Sequence, residues 1–299
     1  MQYQRVLVTG AAGLLGSRVV GELADTRVVG FDLARGAAAI EWHEGNVLDA
    51  DALARAVRNC DAVVHIAAIP NISSGSGQEI MRANVLGTWN ALRAAEEGGA
   101  RRFVYCSSDS VVGFTVAAGR MLAPLYLPID EAHPLRPTDA YALSKKLGEE
   151  AARCFADRGM EVVVLRPVFI AHPESMSEIL ARAKNPGSYK PGAAGGRQPA
   201  GGGPVWHHID PRDAARAFRL ALELPRAHFE VCFISAAVTL APEPTIERLR
   251  GYLQGSLPEL RRPQLYRDNP HAPLYDLTRA HEVLGFTPRY DARELAGAP

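Results

Sequence analysis

The chain of 299 residues has no excess of either charge: lysine plus arginine and aspartate plus glutamate number 33 each. That balance gives no electrostatic footing for nucleic acid or an anionic membrane as partner. No apolar run approaches the ~20 residues needed to cross a bilayer. The N-terminus runs straight into a strand pattern, so no signal peptide is expected. Cysteine is scarce: the four residues Cys60, Cys106, Cys154 and Cys232 show no Cys-x-x-Cys spacing, which excludes the usual zinc and dithiol signatures. They read as reduced, mostly buried side chains of a cytoplasmic protein. His207-His208 and His172 do not suggest a metal. Adjacent residues of a strand point to opposite faces, and no cysteine or glutamate stands nearby in ligand spacing. Internal repeats are also missing.

What is present is an alternation of apolar strands and amphipathic helices. Strands are predicted at 4–9, 27–32, 61–66, 102–107 and 161–166, with a short one near 40–43. Helices are predicted near 14–24, 50–58, 77–97 and 138–158. This rhythm predicts an α/β fold, a Rossmann-type doubly wound parallel sheet. Ligands of such sheets bind beyond the carboxyl ends of the strands, where Gly10, Asp32, Ile66, Ser107, Ser108 and Val168 all fall. The chain divides into a nucleotide-binding domain over 1–170 and a smaller substrate-binding region over 171–299, expected to interleave with the sheet. In the second part a helix is predicted over 211–224, a strand over 229–234, and a terminal ordered stretch including 276–284. Residues 185–204, dominated by glycine, proline and alanine, read either as a flexible connector or as a flap over substrate.

The first strand runs into Gly10-Ala-Ala-Gly13-Leu-Leu-Gly16 and a helix. Gly10 allows the tight turn, Gly13 close approach to a pyrophosphate, and Gly16 close helix–strand packing, with the helix N-terminus facing the phosphates. The second strand ends in Asp32, at the ~20-residue offset where an acid accepts hydrogen bonds from ribose hydroxyls and repels a 2′-phosphate. NAD is therefore the expected cofactor, although Arg35 stands close enough in sequence to accommodate that phosphate.

A second signal lies in Asp139-Ala-Tyr-Ala-Leu-Ser-Lys145. On a helix the four-residue spacing puts Tyr141 and Lys145 on one face. A cation there favours the phenolate, so the tyrosine is expected to titrate below its ordinary value and to exchange a proton with an alcohol or ketone.

Together these motifs resemble the extended short-chain dehydrogenase/reductase superfamily, the NAD-dependent sugar epimerases, dehydratases and uronate dehydrogenases. The resemblance also draws on Gly45-Asn-Val47, His65-Ile-Ala-Ala68, Asn84-Val-Leu-Gly87, Ser107-Ser108, Leu165-Arg-Pro167 and, later, Ile209-Asp-Pro-Arg-Asp213 and Tyr275-Asp-Leu277. It implies that Leu14 and Leu15 contact the cofactor by backbone, that Asn46 and Val47 flank the adenine, and that Ile66, Ala67 and Ala68 form the cofactor wall. Asn84 sits near the site, Val168 lies on the cofactor side, and His65 is structural. It also implies that Ser108 bonds the reacting oxygen, that Tyr141 is the acid/base, and that Lys145 holds the nicotinamide ribose. A homodimer built on the helices at 77–97 and 138–158 is a further implication.

Some positions depart from the family pattern. Dehydratases of this group place aspartate and glutamate directly after the hydroxyl residue; here they are Asp109 and Ser110, which disfavours that chemistry. Asp109 either bonds a substrate hydroxyl or caps a turn. After Arg166 the run Pro167-Val-Phe-Ile-Ala-His172 lacks the asparagine that reaches a nucleotide-sugar diphosphate, leaving a free sugar or sugar acid as the simpler expectation. Asn71, Ser73, Ser108, Asp109 and His172 are the candidate substrate contacts. Arg182 and Arg197 are candidates for a carboxylate, and Trp206 either packs or stacks on a sugar. The expected function is hydride transfer at a sugar hydroxyl, ending in epimerisation or dehydrogenation. The alternative is an NAD-binding regulator or scaffold without turnover.

Overall fold

Strand β1 (Arg5–Thr9) carries four consecutive buried residues, the pattern of a strand covered on both faces. The computed structural model describes residues 3–114, 121–175, 207–253 and 255–296. Residues 185–204, with Arg197 among them, and Arg182 and Trp206 lie outside the described residues. The strands in chain order are β1, β2 (Arg27–Asp32), β3 (Glu41–Glu44), β4 (Ala62–His65), β5 (Arg102–Cys106), β6 (Tyr126–Leu127), β7 (Glu161–Pro167), β8 (Phe229–Ile234) and β9 (Glu259–Leu260). Seven form one sheet in the order β3-β2-β1-β4-β5-β7-β8, every pair parallel. The order reverses between β1 and β4, which opens a crevice beyond their carboxyl ends.

Apolar residues pack on each face. One cluster gathers Val19 and Leu23 of helix α1 (Leu14–Glu22) and the turn after it with Phe218, Phe233 and Phe286. The other gathers Leu53, Leu92, Phe103 and Phe155 beneath α2 (Ala50–Ala56), α4 (Gly87–Glu97) and α5 (Ala140–Ala156). Strand β8 pairs with β7 over six residue pairs, so the C-terminal portion supplies the last strand of the main sheet. Helix α6 (Pro211–Glu223), started by the Asp210 cap and Pro211, lies against α1. The strands β6 and β9 form a separate two-residue parallel pair, too short to be read from sequence. Short helices α7 (Thr245–Tyr252), α8 (Pro263–Asp268) and α9 (Thr278–Leu284) complete the described chain.

The helix predicted over 77–97 is not uniform. It starts as α3 (Gly77–Ile80) behind a Ser76–Glu79 capping box, widens to a π turn over Met81–Leu86, and only then becomes α4. Such wide turns occur most often at functional sites, and this one carries Asn84.

Candidate active site

At the β1–α1 junction Gly10 has φ 72°, and a Cβ there would stand 2.7 Å from the Ala67 amide. A side chain at Gly16 would overlap the Gly10 carbonyl. Both positions therefore require glycine, for the turn and for the close packing of α1. The α1 N-cap, Gly13, makes no side-chain capping bond, so this end presents backbone N–H groups beside the crevice. Leu14 is exposed there, while Leu15 is buried. Asp32 Oδ2 accepts from Ala12 N at 2.9 Å and Oδ1 from Leu33 N at 2.7 Å, fixing the carboxylate at the end of β2 with lone pairs left to accept further bonds. Arg35 is tied to Glu44 at 2.8 Å, so its charge is already partnered. An uncapped helix end, a glycine cradle and an acid at the β2 terminus fit a dinucleotide with a free 2′-hydroxyl.

The wall opposite is braced from below. Thr9 Oγ1 accepts from the amides of Ile66 and Ala67 at 3.2 and 3.3 Å and hydrogen-bonds His65 Nδ1 at 2.8 Å. Thr88 gives its own proton to the Asn84 carbonyl, so it accepts from His65 Nε2 at 3.1 Å. His65 is thus a neutral bridge between two hydroxyls, and burial pushes its pKa down to about 3. Ile66, Ala67 and Ala68 remain partly exposed. Asn84 pins the same loop, accepting from Ile69 N at 2.8 Å and donating to Ile69 O and Ser144 Oγ. Asn46 is exposed and bonds Leu48 N, and Val47 and Val168 are buried.

Helix α5 starts at an Asp139 cap that accepts from Ala142 N at 2.7 Å. It presents Tyr141, Lys145 and Glu149 at four-residue intervals on one face. Lys145 Nζ donates to Cys106 O at 2.8 Å and lies 5.8 Å from the Tyr141 ring centre. The expected lowering of the tyrosine pKa by this cation is not what the folded chain shows. Burial raises the phenol well above its ordinary value, Cys106 adds to that, and a hydrogen bond from Ser108 opposes it. Burial also lowers the pKa of Lys145. Desolvation outweighs a cation that is nearly 6 Å away and already bonded to a carbonyl.

The adjacent serines have separate fates. Ser107 donates to Glu149 Oε1, and Glu149 also receives Arg166 Nε and Nη2 at 2.9 and 2.7 Å, so Ser107 is held within a buried ion pair. Ser108 caps the short turn Asp109–Val112, accepting from Ser110 N at 3.2 Å. The turn cap is therefore Ser108 and not Asp109. Asp109 instead accepts from Ser108 Oγ at 3.3 Å and from the Tyr275 hydroxyl at 2.8 Å. His207 packs edge-on against Tyr275, ring centres 5.1 Å apart, and His207 and His208 are both buried outside any regular strand. Asn71 accepts from Ser73 N and Ser74 Oγ within its own loop. His172 is partly buried, its pKa lowered by desolvation.

Glu149 and Tyr275 were not among the predicted site residues. The continued four-residue spacing on α5 is a signal for the first; the late Tyr275-Asp-Leu277 motif carries no sign of the contact the second makes. A cavity of about 620 Å³ bounded by Asp130, Glu131, Glu149, Arg166, Phe229 and Arg279 is a separate place, lined by none of Ser108, Tyr141 and Lys145. Of its charged walls, Arg166 pairs with Glu149, and Arg279 pairs with Glu230 outside the lining.

The model of the family described as "NAD dependent epimerase/dehydratase family" matches residues 6–232. The chain belongs to that family. Among curated members similar to it, a uronate dehydrogenase of Pseudomonas syringae pv. tomato is 33% identical over 171 residues, 55% of this chain and 58% of that protein. An L-arabinose 1-dehydrogenase (NAD(P)(+)) of Haloferax volcanii is 29% identical, over 78% of this chain and 88% of that protein. The chain spans about half the length of the curated relatives it matches first. A solved short-chain dehydrogenase/reductase superfamily protein from Agrobacterium tumefaciens with bound NAD superimposes with a TM-score of 0.71 at 26% identity, covering 98% of this chain and 95% of that one. Family membership and the glycine cradle agree on NAD. No described helix is long and apolar enough to cross a membrane.

Proposed function

We propose that the protein oxidises a hydroxyl of a free sugar or sugar acid with NAD as acceptor. The reading is supported by Lys145, bonded to the Cys106 carbonyl at the end of β5, with Ser108 just after that strand and Tyr141 one helical turn before Lys145, in a chain whose β1–α1 junction is a glycine cradle. In the proposed roles Tyr141 takes the proton of the substrate hydroxyl, Ser108 holds its oxygen as charge develops, and Lys145 keeps two further donors for the cofactor ribose. When bound, NAD supplies the hydride-accepting carbon and a positive charge that favours the phenolate. Asp109 is engaged by Tyr275 and Ser110 stands in the position of a base, which argues against removal of a hydroxyl as water. A free rather than nucleotide-linked substrate is supported by the sequence after Arg166 and by the uronate and L-arabinose dehydrogenases among the relatives.

In the same reading residues 171–299 form the substrate side, and the protein is a cytoplasmic homodimer. Leu86, Trp89 and Leu143, exposed by 46%, 38% and 39%, supply an apolar surface along the π turn, α4 and α5 for a second copy. Sedimentation at one monomer mass at all concentrations would remove the dimer.

The function is tested by mixing the protein with NAD⁺ and a panel of free sugars, uronic acids and nucleotide sugars while following NADH. Sustained NADH with a free sugar or uronate is expected. Tyr141→Phe should lose about 10³-fold in turnover while still binding NAD. An altered sugar without net NADH would make the protein an epimerase instead. NAD binding without any turnover would favour a regulator.

A further inference from the structure

Both protons of the Asn84 amide are spent. Nδ2 donates to Ile69 O at 3.1 Å and to Ser144 Oγ at 3.0 Å, while Oδ1 accepts from Ile69 N at 2.8 Å. Turned over, the amide would set its NH₂ against the Ile69 N–H, so its orientation is fixed by its partners. Ser144 has one proton and gives it to the Tyr141 carbonyl at 2.7 Å. Toward Asn84 the serine hydroxyl can therefore only accept. Asn84 is 1% exposed and Ser144 0%, so water does not compete for these bonds.

The bonds join two parts of the crevice that lie far apart in sequence, across 15 positions from Ile69 to Asn84 and 60 from Asn84 to Ser144. Ile69 follows directly on Ile66, Ala67 and Ala68, the wall that Thr9 Oγ1 also holds at two amides. Tyr141 stands in the first turn of α5, and the end of a helix is the part its own bonds hold least. A buried line of hydrogen bonds thus runs from the backbone behind the wall to the backbone of the tyrosine.

We infer that Ser144 is a positioning residue: through Asn84 it ties the turn carrying Tyr141 to the cofactor wall and so sets the approach of the tyrosine to the nicotinamide. The inference rests on the proposed role of Tyr141 as proton acceptor. Asn84 has no N–H left for substrate or water, and what it contributes to the site is this tie. Proton transfer needs its partners within hydrogen-bond reach, and a displacement of about 1 Å can cost about 10²-fold.

Ser144→Ala removes one oxygen and cuts the line in a single place. The wall keeps both bonds between Asn84 and Ile69 and the two from Thr9. The Tyr141 carbonyl keeps only its place in the helix. The cofactor seat survives while the tyrosine turn is let go, and this split separates positioning from a general loss of packing. Asn84→Ala cuts the line at its centre and frees the wall as well.

The test reads three quantities in these variants: NAD⁺ affinity by calorimetry, turnover of a reactive sugar at saturating NAD⁺, and the ¹⁹F line of Tyr141 in protein labelled with 3-fluorotyrosine. That line is identified by its loss in Tyr141→Phe, and its displacement on NAD⁺ binding reports how near the nicotinamide charge comes to the tyrosine ring. Ser144→Ala should leave the NAD⁺ dissociation constant within about twofold, lower kcat about tenfold and cut the NAD⁺-induced displacement by about half. Asn84→Ala should lower kcat by a similar factor and also weaken NAD⁺ about fivefold. The double variant should turn over like Asn84→Ala alone, because the tie is already cut. A displacement in Ser144→Ala equal to that of the parent overturns the proposal, even if the variant melts earlier, since that is packing alone. Losses in kcat that multiply in the double variant also overturn it, because Ser144 would then act within its own helix and not through Asn84. If Asn84→Ala does not fold, Ser144→Ala decides, and NAD⁺ affinity falling in step with kcat overturns the tie. Failure of every sugar to react would remove the proposed function while leaving the ¹⁹F displacement to decide the positioning role.

Discussion

His65 and His207 are both buried, and burial pushes each to a pKa of about 3, yet the protein treats them differently. His65, at the end of β4, has a hydroxyl on each ring nitrogen, Thr9 from β1 and Thr88 from α4. His207, in the C-terminal half, packs against the Tyr275 ring and has no hydrogen-bond partner on either nitrogen among the described residues. The first is part of a closed polar network under the cofactor wall. The second belongs to a segment held by aromatic packing, where polar groups meet over long sequence separations. The crevice thus joins a nucleotide side whose polar groups satisfy one another to a C-terminal side that is less self-sufficient.

The contrast can be broken most severely at the ion pair joining Ser107, α5 and β7. Glu149→Gln leaves Arg166 buried without its counter-charge and should cost about 3–5 kcal/mol, read from denaturant unfolding. A loss below about 1 kcal/mol would mean the pair is not closed to solvent in solution. Next come the histidines. His65→Leu strands the Thr9 and Thr88 hydroxyls and should destabilise by about 2 kcal/mol. His207→Leu breaks no hydrogen bond among the described residues and should cost about 1 kcal/mol or less at pH 7. Equal losses at the two sites would erase the comparison.

The same comparison can be sharpened by pH. A histidine neutral in the fold is protonated only after unfolding between its ordinary pKa of 6.5 and the folded value of about 3. In that window the unfolded chain binds more protons, so stability is intact above pH 6.5 and falls on acidification. Each histidine should contribute a loss on the order of 1–2 kcal/mol by pH 5. His207→Leu should flatten that limb in acid melts; an unchanged limb would show that His207 reaches solvent.

The nucleotide side was legible in the sequence because its requirements are local. Gly10 is demanded by the positive φ of the turn, Gly16 by approach to the Gly10 carbonyl, and Asp32 by the end of one strand. The Tyr141–Lys145 pairing follows from helical spacing alone. Their electrostatics did not follow, since desolvation of Tyr141 depends on everything packed around it. The bond from Tyr275 to Asp109 was hidden for a different reason: two residues so far apart meet only once β8 and the segment bridging Ile129 are in place. The division of labour between Ser107 and Ser108 likewise needed Glu149 and Arg166 to be seen together. The π turn was illegible because apolar spacing is blind to one extra residue in a helix.

That extra residue sets the phase of the helix on either side of it. One residue advances an α-helix by about 100°, so the wide turn lets Asn84 face Ile69 while Asn90 still reaches the Val47 carbonyl at 3.1 Å and Trp89 still meets Phe155. A single-residue deletion within 81–86 would restore an even helical pitch and keep the backbone bonded. It would also rotate one end against the other, releasing either the loop beneath the cofactor wall or the contacts of α4. The turn works as a gear tooth between two surfaces that a straight helix could not serve at once.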